Sequence, residues 1–204
     1  MKSFKLYLFL ALTGLFSLTS CENYFGDVNV DPDNPTSVPP SVILPQVQVR
    51  LAYTVGGDAS RLATIYSQHV DGVGRQWAVI HKNGVQPSDT DSYWGGNMYS
   101  AVLMDNRQMT NIAEAAGNNH FVGVGKILEA YSMMLITDTW GDAPYSEAFQ
   151  GLDVIQPAFD SQESIYNAIF QLLGEGRTLM SGDDGGFALG AADLIYGGDA
   201  TKWV

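Results

Sequence analysis

Cysteine is nearly missing from this 204-residue chain: Cys21 is the only one, so no disulfide can form within the chain and no thiolate metal cage can be built. Histidine is almost as scarce. His69, His81 and His120 show no ligand spacing, and metal binding is not expected. Positive charge is short as well, with 10 Lys and Arg against 22 Asp and Glu and a net charge of −12. Such a surface repels nucleic acid and anionic lipid alike. Long hydrophobic runs are lacking, since the longest, Leu6 to Leu18, falls below the roughly 20 residues a membrane helix needs. No alternating strand pattern of useful length occurs. Enzyme signatures are missing too. Gly125-Lys126 lacks the first Gly and the Ser/Thr of a phosphate loop, having His120 and Ile127 there. Gly72-Val73-Gly74 and Gly123-Val124-Gly125 lack the third Gly of a dinucleotide fingerprint, and neither a nucleophile elbow nor an H-E-x-x-H pair is present. No cofactor is expected.

What is present begins at the N-terminus. Lys2 and Lys5 precede the apolar run, the layout of an export signal, and Leu18-Thr19-Ser20-Cys21 ends it. A Leu, two small residues and a Cys resemble the lipobox of bacterial lipoproteins, in which the Cys is diacylated and becomes the first mature residue. An incidental cysteine after a secretory signal, or a buried thiol, is the plainer alternative. The single Cys falling on the one expected position favours lipidation of Cys21, and Glu22 after it permits outer-membrane delivery. Residues 1–20 thus read as a lipoprotein signal peptide and 21–40 as a lipid-anchored, Pro- and Asn-rich tether. Asp27, Asn29, Asp31 and Asp33 suggest a calcium loop, but Pro32 stands where that loop needs Gly and Val38 where it needs Glu.

From residue 41 the period is helical. Leu62, Ile65, Tyr66, His69, Val73, Trp77 and Ile80 form one stripe at spacings of three and four. A second helix is predicted over 92–116, with Trp94, Met98, Val102, Met109, Ile112 and Ala116 inward and Gly117-Asn118-Asn119 as its stop. A third carries Val124, Ile127, Leu128, Tyr131 and Leu135 and ends near Thr139. A fourth opens with Asp160 as N-cap and Glu163 completing a capping box. Its stripe is Ile165, Ala168, Ile169, Leu172 and Leu173. A shorter helix spans about Pro45 to Tyr53. The chain reads as all-α, a tetratricopeptide-like array of helix pairs with long loops. Asp199 opens a helix that the chain does not complete, so residues 41–204 read as a part truncated at its C-terminus.

Two constellations bear on ligands. Trp77, with Gln76, Arg75 and Asp71 nearby, is the candidate sugar platform: the indole stacks on a ring face while Arg75 and Asp71 bind hydroxyls. Trp77 in the core is the alternative, and Trp94 is placed in the core by its phase with Met98. The acids Asp138 and Asp142 flank Trp140-Gly141. Paired carboxylates are what glycoside hydrolysis requires, so a hydrolase is one reading. The other is that both acids cap a helix end and its turn, with Trp140 packed over it.

The tract Thr137 to Ala148, T-D-T-W-G-D-A-P-Y-S-E-A, resembles the W-G-D-V-P-Y-S-E-A segment of SusD/RagB-type outer-membrane lipoproteins. Asn34-Pro35-Thr36, Phe159 to Tyr166, and Asp193 to Asp199 leading into Lys202-Trp203 are similar to that family in the same order. The resemblance implies a SusD-like helical fold, here incomplete, in which Asp138, Trp140, Gly141, Asp142, Pro144 and Tyr145 are motif positions. It also implies a non-enzymatic, surface-facing lipoprotein that captures glycan or peptide for a SusC-like TonB-dependent transporter. A hydrolase, or a structural or adhesion lipoprotein, is the alternative.

Overall fold

Pro39 and Pro40 open the first helix, where a missing amide hydrogen costs nothing and a fixed φ helps. The computed structural model describes residues 38–204; the signal segment, Cys21 and the tether as far as residue 37 lie outside the described residues. Helix α1 (Pro40–Thr54) is longer than its sequence pattern suggested and buries Pro40, Ile43, Leu44, Val47, Leu51 and Thr54, spaced by three and four. A π-helical turn (Val55–Ala59) then leads into α2 (Ser60–Tyr66).

Here the pattern misled. The single stripe from Leu62 to Ile80 is two short helices, α2 and α3 (Arg75–His81), separated by a loop; Gln68 in that loop and Arg75 at the head of α3 take positive φ. The glycines at 72 and 74 favour a break over a continuous helix. His69, in phase with the core by spacing, is exposed in this loop and bonded to Ser67 Oγ at 2.8 Å.

The second predicted helix is two different helices in series. Ser92–Leu103 is π-helical and Met104–Ala116 (α4) is α-helical, closed by Gly117 at φ 74° as expected. In the wider i→i+5 turn, Tyr93, Met98 and Leu103 lie five apart and all are buried. The inward set is therefore Tyr93 rather than Trp94. In α4 it is Asn106, Met109, Thr110 and Ala113, one residue out of phase with Ile112 and Ala116. Both π segments contain a Gly-Gly pair, at 56–57 and 95–96, and they are tied together by Asn97 Nδ2 donating to Asp58 Oδ2 at 2.9 Å.

Helix α5 (Asn119–Trp140) is the middle of the fold, buried on more than one side. It packs against α4 and, most extensively, against α6 (Gln162–Met180). Glycines let the helices approach. A Cβ on Gly176 would stand 3.0 Å from the Gly123 carbonyl oxygen and 2.7 Å from Ile127 Cγ1, and one on Gly123 would meet Met180 Sδ at 2.8 Å. Gly125 lies against Thr110 of α4, and Asn106 Nδ2 donates to its carbonyl at 2.8 Å. The Gly-Val-Gly run is thus a helix-packing device, and Lys126 pairs with Glu175 of α6 at 2.8 Å rather than with a phosphate. A two-residue antiparallel ladder, Ala143–Pro144 (β1) with Phe159–Asp160 (β2), closes the loop between α5 and α6.

The C-terminal turns fold around one carboxylate. Asp193 is 1% exposed and accepts from Gln48 Nε2 of α1 and Trp203 Nε1, both at 2.9 Å, and from the amides of Ile195, Tyr196 and Gly198. Gln48 is itself buried, and its Oε1 takes the Leu194 amide at 2.7 Å. Burial alone would push the Asp193 pKa up; the donors from Trp203, Gln48, Gly198 and Tyr196 outweigh it and hold the carboxyl below its ordinary value. Asp199 caps the final 3₁₀ turn, Ala200–Trp203, by accepting from the Thr201 amide.

Two predictions follow from this packing. Gly176→Ala gains helix propensity of up to about 1 kcal/mol but overpacks the α5–α6 contact at a cost of about 1–3 kcal/mol, so thermal unfolding should show net destabilisation. Gly174→Ala, two residues away with nothing within 4 Å of the new methyl, should stabilise by about 0.5–1 kcal/mol; matching signs for the two variants would contradict the close-contact account. For Asp193 the folded pKa lies below the unfolded one, so its stabilisation is present above about pH 4 and is lost as pH falls through the folded value. Asp193→Asn leaves buried donors facing an amide NH₂, which should cost at least about 2 kcal/mol at neutral pH. Denaturant titrations between neutral and acid pH should show a shallower acid decline in the variant than in the parent chain.

Candidate functional site

A groove of about 870 Å³ lies between α2, the Val85–Asp91 segment, the π-helix and the C-terminal end of α5. Its walls are aromatic. Tyr66 comes from α2, Tyr93 and Trp94 from the π-helix, Trp140 from the end of α5, and Phe159 from β2. Trp140 is packed against Tyr93 at 4.6 Å between ring centroids and edge-on against Trp94 at 4.9 Å, and Trp94 meets Tyr99 at 5.0 Å. Tyr99 is anchored by donating to the Pro144 carbonyl at 2.7 Å, and burial raises its pKa beyond the ordinary phenol range. Trp94, displaced from the core by the π turn, is half-buried and lines the groove.

The residues around Trp140 explain why it stands where it does. Helix α5 ends at Gly141, φ 80°, and its terminus is stitched to the start of α6. Gln162 Nε2 donates to the Thr137 carbonyl, the Gln162 amide donates to Asp142 Oδ1 at 2.9 Å, and Tyr166 Oη donates to Asp138 Oδ1 at 2.6 Å. Asp142 therefore caps the next helix rather than its own, a favourable place for a negative charge. The Ser164 amide of α6 is served by Ser161, whose Oγ accepts from it. Ser161, not Asp160, is the N-cap. Asp160 instead accepts from the Tyr145 and Ser146 amides and the Ser146 hydroxyl. Burial pushes its pKa up, and these donors more than reverse that, leaving it lowered. Tyr145 Oη reaches back to Glu129 of α5 at 2.9 Å, and Glu147 holds the Ala158 amide at 2.9 Å. Asp138, Gly141, Asp142, Pro144 and Tyr145 all serve the joint between helices, while the Trp140 indole forms groove wall, with Asp138 and Asp142 beside it in the lining.

The other predicted platform is only partly assembled. Trp77 and Asp71 line a smaller pocket of about 270 Å³, but Arg75 is not among its walls. The guanidinium of Arg61 lies 5.0 Å from the Trp77 ring centroid, covering a face a sugar would use, and Asp71 is within 3.0 Å of His81 Nδ1. Sequence reasoning missed Trp94, Tyr66 and Phe159 as groove residues. Phase alone assigned Trp94 and Tyr66 inward, and the signal that pointed the other way was aromatic density beside the Gly95-Gly96 pair. Among the described residues no group of three His, Cys, Asp or Glu is placed to hold a metal, and no helix is long and apolar enough to cross a membrane.

A family model described as SusD-like, starch-binding and associating with the outer membrane, matches residues 32–204. No curated protein matches the chain. Among solved structures, a SusD/RagB family protein from Bacteroides thetaiotaomicron VPI-5482 is similar at 28% identity and a TM-score of 0.73, over 82% of this chain and 35% of its own. A Bacteroidetes SusD-like protein is similar at 24% identity and TM-score 0.62, over 81% of this chain and 31% of its own. A candidate nutrient-binding outer-membrane protein from Bacteroides vulgatus ATCC 8482 shares the fold at 22% identity and TM-score 0.57, over 81% and 33%. The chain spans about a third of the length of these structures.

Proposed function

The chain belongs to the SusD-like family, and from that premise we propose that it is a nutrient-capturing lipoprotein of the outer membrane whose ligand is a glycan held in the Trp94–Trp140 groove. Proteins of this family bind carbohydrate and do not catalyse its cleavage. Cys21, diacylated, is the anchor; the segment from residue 22 to the start of α1 is the tether; a SusC-like TonB-dependent transporter is the partner that receives the ligand. One observation carries the groove assignment. Trp140, within the tract at the α5–α6 joint, lines a groove of about 870 Å³ with Asp138 and Asp142, its ring packed edge-on against Trp94.

The chemistry suits sugars. Pyranose rings present C–H faces that pack on flat aromatic surfaces, whose electron-rich faces attract polarised hydrogens. Asp91, Asp138 and Asp142 line the same groove and can accept hydrogen bonds from sugar hydroxyls. Because Trp140 is held by the joint and Trp94 by contact with Trp140 and Tyr99, little ordering cost remains to be met on binding. A hydrolase reading is not favoured, since both Asp138 and Asp142 already serve as structural acceptors.

Calorimetric or fluorescence titration with a panel of neutral oligosaccharides should give Trp94→Ala and Trp140→Ala variants at least about tenfold weaker than the parent chain, a loss of about 1.4 kcal/mol. Trp77→Ala should leave affinity unchanged; weakening by Trp77→Ala alone would move the site to the smaller pocket. In cells, Cys21→Ala should abolish fatty-acid labelling and release the protein into the soluble fraction, and persistent labelling would overturn the anchor assignment.

A further inference from the structure

Resting on the reading of the groove as a glycan site, we infer that it selects by charge: sugars bearing protonated amines bind ahead of neutral ones, and uronates or sulfated sugars are turned away. Three carboxylates, Asp91, Asp138 and Asp142, line the groove, and among the described residues no Lys, Arg or His stands in its lining. The acids come from two separate elements. Asp91 stands at the head of the π-helix, and Asp138 and Asp142 bracket Trp140 on the α5–α6 joint. A ligand lying across Trp94 and Trp140 therefore shares the groove with carboxylates from both elements.

These carboxylates are not used up by the fold. Asp138 and Asp142 each commit Oδ1, to Tyr166 Oη and the Gln162 amide. The second oxygen of each has no hydrogen-bond partner among the described residues. Asp91 is exposed and its carboxylate has none there either. An ammonium group gains twice in this setting, from carboxylates within reach and from indole faces, which attract cations most strongly of the aromatic side chains. A neutral hydroxyl gains only ordinary hydrogen bonds. An anionic sugar meets three like charges without a cation to offset them, and the net charge of −12 adds long-range repulsion. The flat aromatic walls and a volume of about 870 Å³ suit several rigid rings better than a flexible lysine chain, so the amine is assigned to a sugar.

Three hexamers on one β-1,4-linked glucose skeleton separate these terms: glucosamine hexamer, cellohexaose and the matching glucuronate hexamer, titrated into the full chain at mildly acid pH where the amines are protonated. The expected order is glucosamine over cellohexaose by at least about tenfold, with no measurable glucuronate binding. High salt, and an Asp91→Asn/Asp138→Asn variant whose unfolding transition matches the parent's, should both collapse the first difference. Equal binding of all three, tightest binding of the glucuronate hexamer, or a preference untouched by the double variant overturns charge selection. Binding of oligolysine as tight as that of the glucosamine hexamer overturns the assignment to a sugar. If another glycan binds in a Trp94-dependent way while the glucosamine hexamer does not, charge selection falls and the groove reading stands; if no glycan binds in a Trp94-dependent way, both fall.

Discussion

How closely α5 can lie to its neighbours decides the rest of this fold. An ordinary pair of packed helices is held 8–10 Å apart by the side chains between them. Here glycine stands at 123 and 176 where α5 meets α6, and at 125 where α5 meets α4. Each glycine costs helix propensity, a cost repaid by contact between backbones and by the dispersion energy of a tight interface. Close approach also brings the end of α5 within hydrogen-bonding reach of the start of α6. The Gln162–Thr137, Gln162–Asp142 and Tyr166–Asp138 bonds are then possible, and with them the position of Trp140.

The same constraint gives the family-like segments a physical meaning. Each is a place where distant parts of the chain must agree on a geometry that hydrophobic packing alone leaves loose. The tract around Trp140 joins α5 to α6 through side chains that accept from backbone amides. The tract around Asp193 joins the C-terminal turns to Gln48 of α1, across 145 positions of sequence, through a buried carboxylate with a full set of donors. Both solve the accounting of buried polar groups in irregular backbone, which helices solve internally and loops do not. That is why these loops carry specific polar residues while the buried helix faces are mainly apolar.

Helix content was legible in the sequence because apolar spacing reports burial directly. The end of α4 at Gly117 and the core of α6 at Ile165 and Ile169 stand as read. What the pattern could not show was a change of helical pitch. Over Ser92–Leu103 Tyr93, Met98 and Leu103 are buried at a five-residue interval, with Val102 beside Leu103, and a stripe read at 3.6 residues per turn finds Met98 and Val102 but takes Trp94 in place of Tyr93. Nor could it show that two in-phase helices, α2 and α3, are separated by a loop whose residues happen to keep the phase. Capping was misassigned for a related reason. Asp160 and Ser161 are both good caps, and the choice fell to Ser161 because the Tyr145–Ser146 turn claims the Asp160 carboxylate, a competition between segments 14 residues apart that no local rule contains.

The slip at Trp94 and the existence of the groove are one event. In an α-helix the residue at 94 would share a face with Met98 and Val102 and be buried; the wider turn rotates it outward beside Trp140 while Tyr93 takes the core position. The aromatic wall thus owes its exposure to a backbone form that is locally unfavourable and frequent at functional sites. It is retained because Asn97 bonds to Asp58 in the other π segment and Tyr99 to the Pro144 carbonyl. One side of the groove is in consequence fixed by α5, α6 and the π-helix. The facing side, on α2, has only Ile65 buried in its own helix and is correspondingly softer. A rigid aromatic wall thus faces a compliant one, and movement of the second leaves the core that holds the first unaltered.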